Sequence, residues 1–140
     1  MKKYTGNKIQ LNGVFEYDFE FTQKDVIDFA EATGDKNPIH LDEEYAKNFI
    51  FKKRILHGFL GGSVFSKVFG TIFPGEGTIY LKQSMTFHKP MFVDEKYTAV
   101  FKIIEIFSEK KRALIETKIK NFKDEIITSG EALISHSSIR

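Results

Sequence analysis

The sequence predicts an α+β fold in which one long antiparallel sheet curls around a single apolar helix. Three observations lead there: a strictly alternating strand near the start, one apolar helical stretch from Phe59 to about Phe73, and a succession of long strands after it. A chain of 140 residues suits a single domain spanning residues 1–140. Its 41% hydrophobic and 29% charged residues are those of a globular protein, not a disordered one. With 15 Phe and no Trp, aromatic slabs fill the core or line a pocket for an apolar ligand.

The first strand is "VFEYDFEF", where Phe15, Tyr17, Phe19 and Phe21 point one way and Glu16, Asp18 and Glu20 the other. A helix follows in "TQKDVIDFAEATG". Thr22 caps it, Asp25 stands at the third position, Val26, Ile27, Phe29, Ala30 and Thr33 share a face, and Gly34 ends it in the left-handed conformation. Pro38 forces Asn37 toward extended angles, so Asp35 to His40 is expected to turn. Asp42 caps a second helix, Glu43 to Phe49. The apolar helix mixes Gly61, Gly62 and Ser63 with Phe65, Val68, Phe69 and Ile72, which predicts burial nearly all round and a stop near Pro74 and Gly75. In "IYLKQSMTFH" the pattern places Ile79, Leu81, Met85 and Phe87 on one face. The strand "KYTAVFKIIEIF" slips phase near Ile103 and Ile104, the signature of a bulge. "KKR" and "KDE" turn the chain into "ALIETKIKNF" and "IITSGEALIS". Free edges of such a sheet favour pairing with a second copy.

Several function classes are disfavoured. A formal net charge of +2 leaves no nucleic-acid footprint, and the "KKR" runs at 52–54 and 110–112 read as solvated faces, the alternative being attraction of a phosphate-bearing ligand. The absence of Cys removes disulfides, thiolate ligands and a thiol nucleophile. No secretory h-region follows "MKKYTGNK", and the most apolar window is too short to span a membrane, so a cytoplasmic protein is expected. His40, His57 and His88 with Asp35 or Asp42 match no recurring metal-ligand spacing, and no phosphate loop or dinucleotide fingerprint is present.

Chemistry concentrates in two stretches. In "TGDKNPIH" the Asn-Pro turn can bring the carboxylate of Asp35 and the imidazole of His40 onto one water, although the same spacing also fits a capping Asp and a structural His. In "LHGFLGGS" the His57-Gly58 pair precedes the apolar helix, whose unpaired N–H groups suit a carbonyl oxygen gaining charge, and Gly58 lets that guest approach the backbone; a plain tight loop is the alternative.

"FAEATGDKNPIHLDEEYA", "ILHGFLGGSVFS" and "GTIYLKQSMTFHKPMFVDEKYTAVFKI" together resemble the (R)-specific enoyl-CoA hydratases, the MaoC-like dehydratase family of the hot-dog superfamily, over about Val14 to Ser135. The resemblance implies a hot-dog fold doubled into a homodimer. It also implies reversible hydration of a trans-2-enoyl-CoA to the (R)-3-hydroxyacyl-CoA thioester, with no metal or redox cofactor. Carried across by position, Asp35 and His40 become the catalytic pair, and the backbone N–H of Gly58 holds the thioester oxygen. Asn37 orders the loop, while His57 and Ser63 belong to the substrate pocket. Phe59 stands where relatives often carry Met, which bears on pocket shape. The alternatives are a 3-hydroxyacyl-carrier-protein dehydratase on the same fold and a non-catalytic acyl-CoA-binding module.

Overall fold

The computed structural model describes residues 2–3 and 8–140, so the opening "MKKYTGNK" falls largely outside the described residues. Seven strands, β1 (Lys2–Lys3), β2 (Gly13–Phe19), β3 (Ile79–Gln83), β4 (Thr86–Phe87), β5 (Tyr97–Phe107), β6 (Arg112–Lys120) and β7 (Ile126–Ser135), form one sheet. Its order is β1-β2-β5-β6-β7-β3, with β4 also on β7, and every pairing is antiparallel except β1 with β2. The helices are α1 (Gln23–Thr33), α2 (Pro38–Leu41), α3 (Glu43–Lys47) and α4 (Gly58–Thr71). This is the hot-dog arrangement: α4 lies in the core with the buried face of the sheet.

Period-two alternation selects that face. Tyr97, Ala99, Phe101 and Ile103 of β5 and Ala113, Ile115 and Ile119 of β6 are buried, and their neighbours in sequence are not. α4 contributes Leu60, Val64, Phe65, Val68 and Phe69 to the same cluster. Phe101 sits at its centre, with ring centroids 5.2 Å from Phe69 and 5.7 Å from Phe65. Phe15 stacks on Phe73 at 4.7 Å, joining β2 to the end of the α4 segment. Gly61 and Gly62 let two thioethers reach the helix backbone: a Cβ at either would lie 2.5 Å from the sulfur of Met91 or Met85 respectively.

The local signals at α1 hold in detail. Thr22 and Asp25 form a reciprocal capping box, and Gly34 closes the helix at φ 80° with its N–H on the carbonyl of Ala30. The phase slip in β5 is a bulge at Ile104, since Ile103 pairs with Ile115 and Glu105 with Leu114.

Four expectations need correction. Ile27 is exposed, because the buried face of α1 is narrowed to Val26 and Ala30 with Phe29 partly covered. α3 ends at Lys47, leaving Phe49 outside the helix and exposed. α4 is not buried all round: Phe59, Ser63, Ser66, Lys67 and Gly70 form an exposed stripe, with Phe59 at 68%. The segment after it does not keep one phase. A bulge at Leu81 and a break between β3 and β4 leave Ile79, Leu81 and Phe87 exposed while Met85 packs on the core. Among the described residues no helix is long and apolar enough to cross a membrane.

Candidate active site

The chain between Gly34 and Leu41 is built by three local choices. Gly34 reverses direction at the end of α1, so Asp35 starts a new segment. Asn37 adopts φ −56° and ψ 124° ahead of Pro38, and its side-chain Oδ1 accepts from the N–H of Ile39 at 3.2 Å. Pro38 then opens α2, a single turn in which proline's missing donor costs nothing. The expected turn is thus itself a helical turn, and it delivers His40 inward: His40 is 8% exposed and Asp35 remains exposed.

His40 is fixed at both ends. Its backbone carbonyl accepts from Gln23 Nε2 at 3.0 Å, and its Nδ1 lies 2.8 Å from the carbonyl oxygen of Ile55. A carbonyl can only accept, so Nδ1 carries the hydrogen and the neutral ring keeps its lone pair on Nε2. Burial lowers the pKa of His40 from the ordinary imidazole value; the Ile55 carbonyl opposes this, nearby His57 adds to it, and Asp35 opposes it.

His57 comes from the other side of the site. It is 2% exposed and precedes α4. Its Nε2–H donates to the backbone carbonyl of Asp35 at 2.9 Å. Its ring lies 3.9 Å from that of His40, centroid to centroid with a tilt of 30°, and 4.7 Å from Phe29. The remaining Nδ1 is buried without a hydrogen-bond partner, an arrangement that costs about 1–3 kcal/mol.

Together these segments bring Asp35, His40 and His57 into one group, with one polar atom from each within 4.8 Å of the other two. It is the one group among the described residues with the spacing of a metal site. Two of the four ring nitrogens are already engaged, however, His40 Nδ1 with the carbonyl of Ile55 and His57 Nε2 with that of Asp35, and the remaining nitrogen of His57 is buried. Proton chemistry suits this arrangement better than coordination of one ion.

A cavity of about 310 Å³ opens beside the group, lined by His40, His57, Gly58, Phe87, Met91 and Thr128 among others. Gly58 is the first residue of α4, and His57 makes no side-chain capping bond, so the N-terminus of α4 is left without a side-chain acceptor. The glycine was expected to make room for a guest; what it admits is the ring of Phe87, whose Cε1 would lie 2.8 Å from a Cβ at that position. Ser63 does not line this cavity. It is exposed on α4, donates to the carbonyl of Leu60, and faces a neighbouring groove with Tyr80, Leu81 and Met85. Phe59 borders both spaces. His88 also lines the cavity, its Nε2 2.7 Å from Ser129 Oγ, away from the Asp35 group.

Sequence reasoning missed two contributors. The Ile55 carbonyl, which sets the tautomer of His40, is a backbone atom and leaves no mark in residue type. Thr128, a buried polar residue on β7, reaches the cavity only through sheet register.

Comparison with known proteins gives the family of the chain. Residues 5–125 match the family model described as the MaoC like domain. The chain is 36% identical over 115 residues to a 3-hydroxybutyryl-CoA dehydratase of Methylorubrum extorquens, covering 82% of this chain and 73% of that protein. It is 36% identical over 114 residues to an (R)-specific enoyl-CoA hydratase of Aeromonas caviae, covering 81% and 85%. Among solved structures, the unliganded R-hydratase of Pseudomonas aeruginosa superposes with a TM-score of 0.86 at 34% identity, covering 91% of this chain and 82% of that one. A loop that sets Asp35 beside an inward His40, mounted on a sheet wrapped around α4, is therefore found in a chain that belongs to the MaoC-like dehydratase family.

Proposed function

We propose that this protein catalyses the reversible hydration of a trans-2-enoyl-CoA to the (R)-3-hydroxyacyl-CoA, as a hydro-lyase. Support comes from its family, from the names of its relatives, and above all from one observation: the Ile55 carbonyl engages Nδ1 of His40 and leaves Nε2 without a proton, in a ring grouped with Asp35. One water hydrogen-bonded to both groups bridges about 4.6 Å, within the spacing of the group. In this reading Asp35 and His40 hold that water and its oxygen attacks C3. The pair accepts the water's proton, and a proton is delivered to C2. Negative charge gathers on the thioester oxygen, where the free N–H of Gly58 at the start of α4 stabilises it. Asn37 keeps the loop in shape through its bond to Ile39, His57 walls the pocket, and Ser63 belongs to the groove through which the acyl chain continues.

The test follows the conjugated-enoyl absorbance of crotonyl-CoA, with chiral analysis of the product. Asp35→Asn and His40→Gln are each expected to fold normally and to lose about 100-fold or more in rate, about 3 kcal/mol of barrier. An unchanged rate in either sinks the assignment, and binding without turnover by the native protein points to the binding-module alternative. Faster turnover of carrier-protein thioesters would transfer the reading to that substrate class.

The functional unit in this reading is one domain over residues 1–140, acting as a homodimer in the cytoplasm. β3 is the outermost strand at its end of the sheet, and Ile79, Tyr80, Leu81 and Phe59 present apolar surface along it. Leu81→Asp is expected to shift the protein to monomer in sedimentation velocity; a native protein that already sediments as a monomer refutes the pairing.

A further inference from the structure

Given Asp35 and His40 as the reacting pair, we propose that His57 is a positioning residue that fixes their relative placement: its Nε2–H ties down the Asp35 main chain while its ring backs the imidazole of His40. The inference rests on that reading of the pair, and on contacts that a residue present only for packing would not make.

Asp35 is otherwise loosely held. Its N–H donates to Thr33 Oγ1 at 3.2 Å, only two residues back in the chain, and its side chain is exposed. The bond from His57, across 22 residues of chain, is the one described hydrogen bond that reaches Asp35 from a distant element. His57 makes it at a cost to its surroundings. The residue before a helix ordinarily caps it with a short polar side chain, yet His57 makes no capping bond. Its Nδ1 is buried without a partner. A leucine or phenylalanine would fill the same space with no unsatisfied nitrogen, so packing against Phe29 does not account for an imidazole here. The donor bond to Asp35 and the 3.9 Å contact with His40 do. Through this one side chain α4, which also supplies Gly58, is locked to the loop that carries the acid and the base, so all three groups move as one body.

His57 also bears on the proton chemistry of His40. The charged and titratable groups near His40 include Asp35 on its loop, His57 at the start of α4, Arg54, whose guanidinium donates to the carbonyl of neighbouring Leu41, and His88 and Lys89 on the wall of the shared cavity. Of these, His57 is in ring contact, and its presence disfavours the charged form of His40.

The experiment compares native protein, His57→Leu and His57→Gln, the last keeping an amide N–H that can reach the Asp35 carbonyl. With crotonyl-CoA, His57→Leu is expected to lower kcat about 100-fold with KM within about threefold, the cost of a misplaced pair. His57→Gln should recover about tenfold of that loss. Circular dichroism establishes that each variant is folded. In parallel, NMR titration of the His40 ring without substrate should show its pKa rising in both variants. An active native enzyme with kcat in His57→Leu within threefold overturns the proposal, as do equal losses in Leu and Gln with an unmoved His40 titration. Inactivity of the native protein instead removes the hydratase reading, and the titration then decides whether His57 governs His40.

Discussion

Gly130 on β7 is the position where a single methyl group should do most harm outside the core. A Cβ there would lie 1.8 Å from the backbone carbonyl oxygen of Ser84 and 2.6 Å from its carbon, and a backbone atom has no rotamer by which to withdraw. In Gly130→Ala the chain crossing at Ser84, between β3 and β4, must therefore move by more than 1 Å to regain ordinary contact of about 3.4 Å. Three hydrogen bonds depend on the present spacing: Ser84 N–H to Glu131 O at 2.9 Å, Glu131 N–H to Ser84 Oγ at 3.0 Å, and Gln83 Nε2–H to Ser84 O at 2.8 Å. Losing two or three of them at about 1 kcal/mol each gives a destabilisation of about 2–3 kcal/mol. For a chain of this length that corresponds to a drop in Tm of about 6–10 °C. Thermal melting followed by circular dichroism measures it directly. Because Met85 and Phe87 follow Ser84 in sequence and Phe87 lines the cavity, hydration should fall as well. A Tm within 2 °C of the native value would refute the reasoning, since the crossing would then be too pliable to need glycine.

Two further outcomes follow from the core and from His40. Phe101→Ala removes a ring that is fully buried among Phe15, Phe65 and Phe69, and is expected to cost about 3–5 kcal/mol in urea unfolding. His40 has a lower pKa folded than unfolded, so between the two values the unfolded chain holds more protons. Its contribution to stability is complete above the unfolded value of about 6.5 and is lost as pH falls from there toward the folded value. Tm should accordingly drop between pH 7.5 and pH 5.5 more in native protein than in His40→Gln, and the acid limb of kcat/KM should lie below 6.5; an identical pH dependence in the two proteins contradicts this.

Legibility tracked how local each determinant is. The capping box of Thr22 and Asp25, the left-handed Gly34, and the extended Asn37 before Pro38 are decided by residues within a few positions, and all were readable. The bulge at Ile104 was readable because an inserted residue shifts a period-two pattern. What escaped was decided elsewhere in the chain. Nothing in the sequence near His40 announces that the carbonyl of Ile55 will orient its ring. Phe59 on α4 and the exposed Ile79 and Leu81 read as core because they are apolar, and apolarity does not distinguish a surface buried within one chain from one left outside it. Gly58 was assigned to ligand approach for a sound reason, yet the ring that uses its space, Phe87, lies 29 residues on and arrives only through pairing of β4 with β7.

The glycines at 61 and 62 bring one more property with them. Because α4 has no side chain there, the sulfurs of Met91 and Met85 rest against its backbone, and these are unbranched, polarisable groups suited to an irregular gap. Met91 also holds the cavity wall together, its carbonyl accepting from the N–H of Leu56 beside His57. Oxidation would add a polar oxygen to either sulfur just where the helix already stands. Peroxide would then act as a wedge, prising the helix from the wall of its own cavity, and a methionine sulfoxide reductase would be the agent that lets it close again.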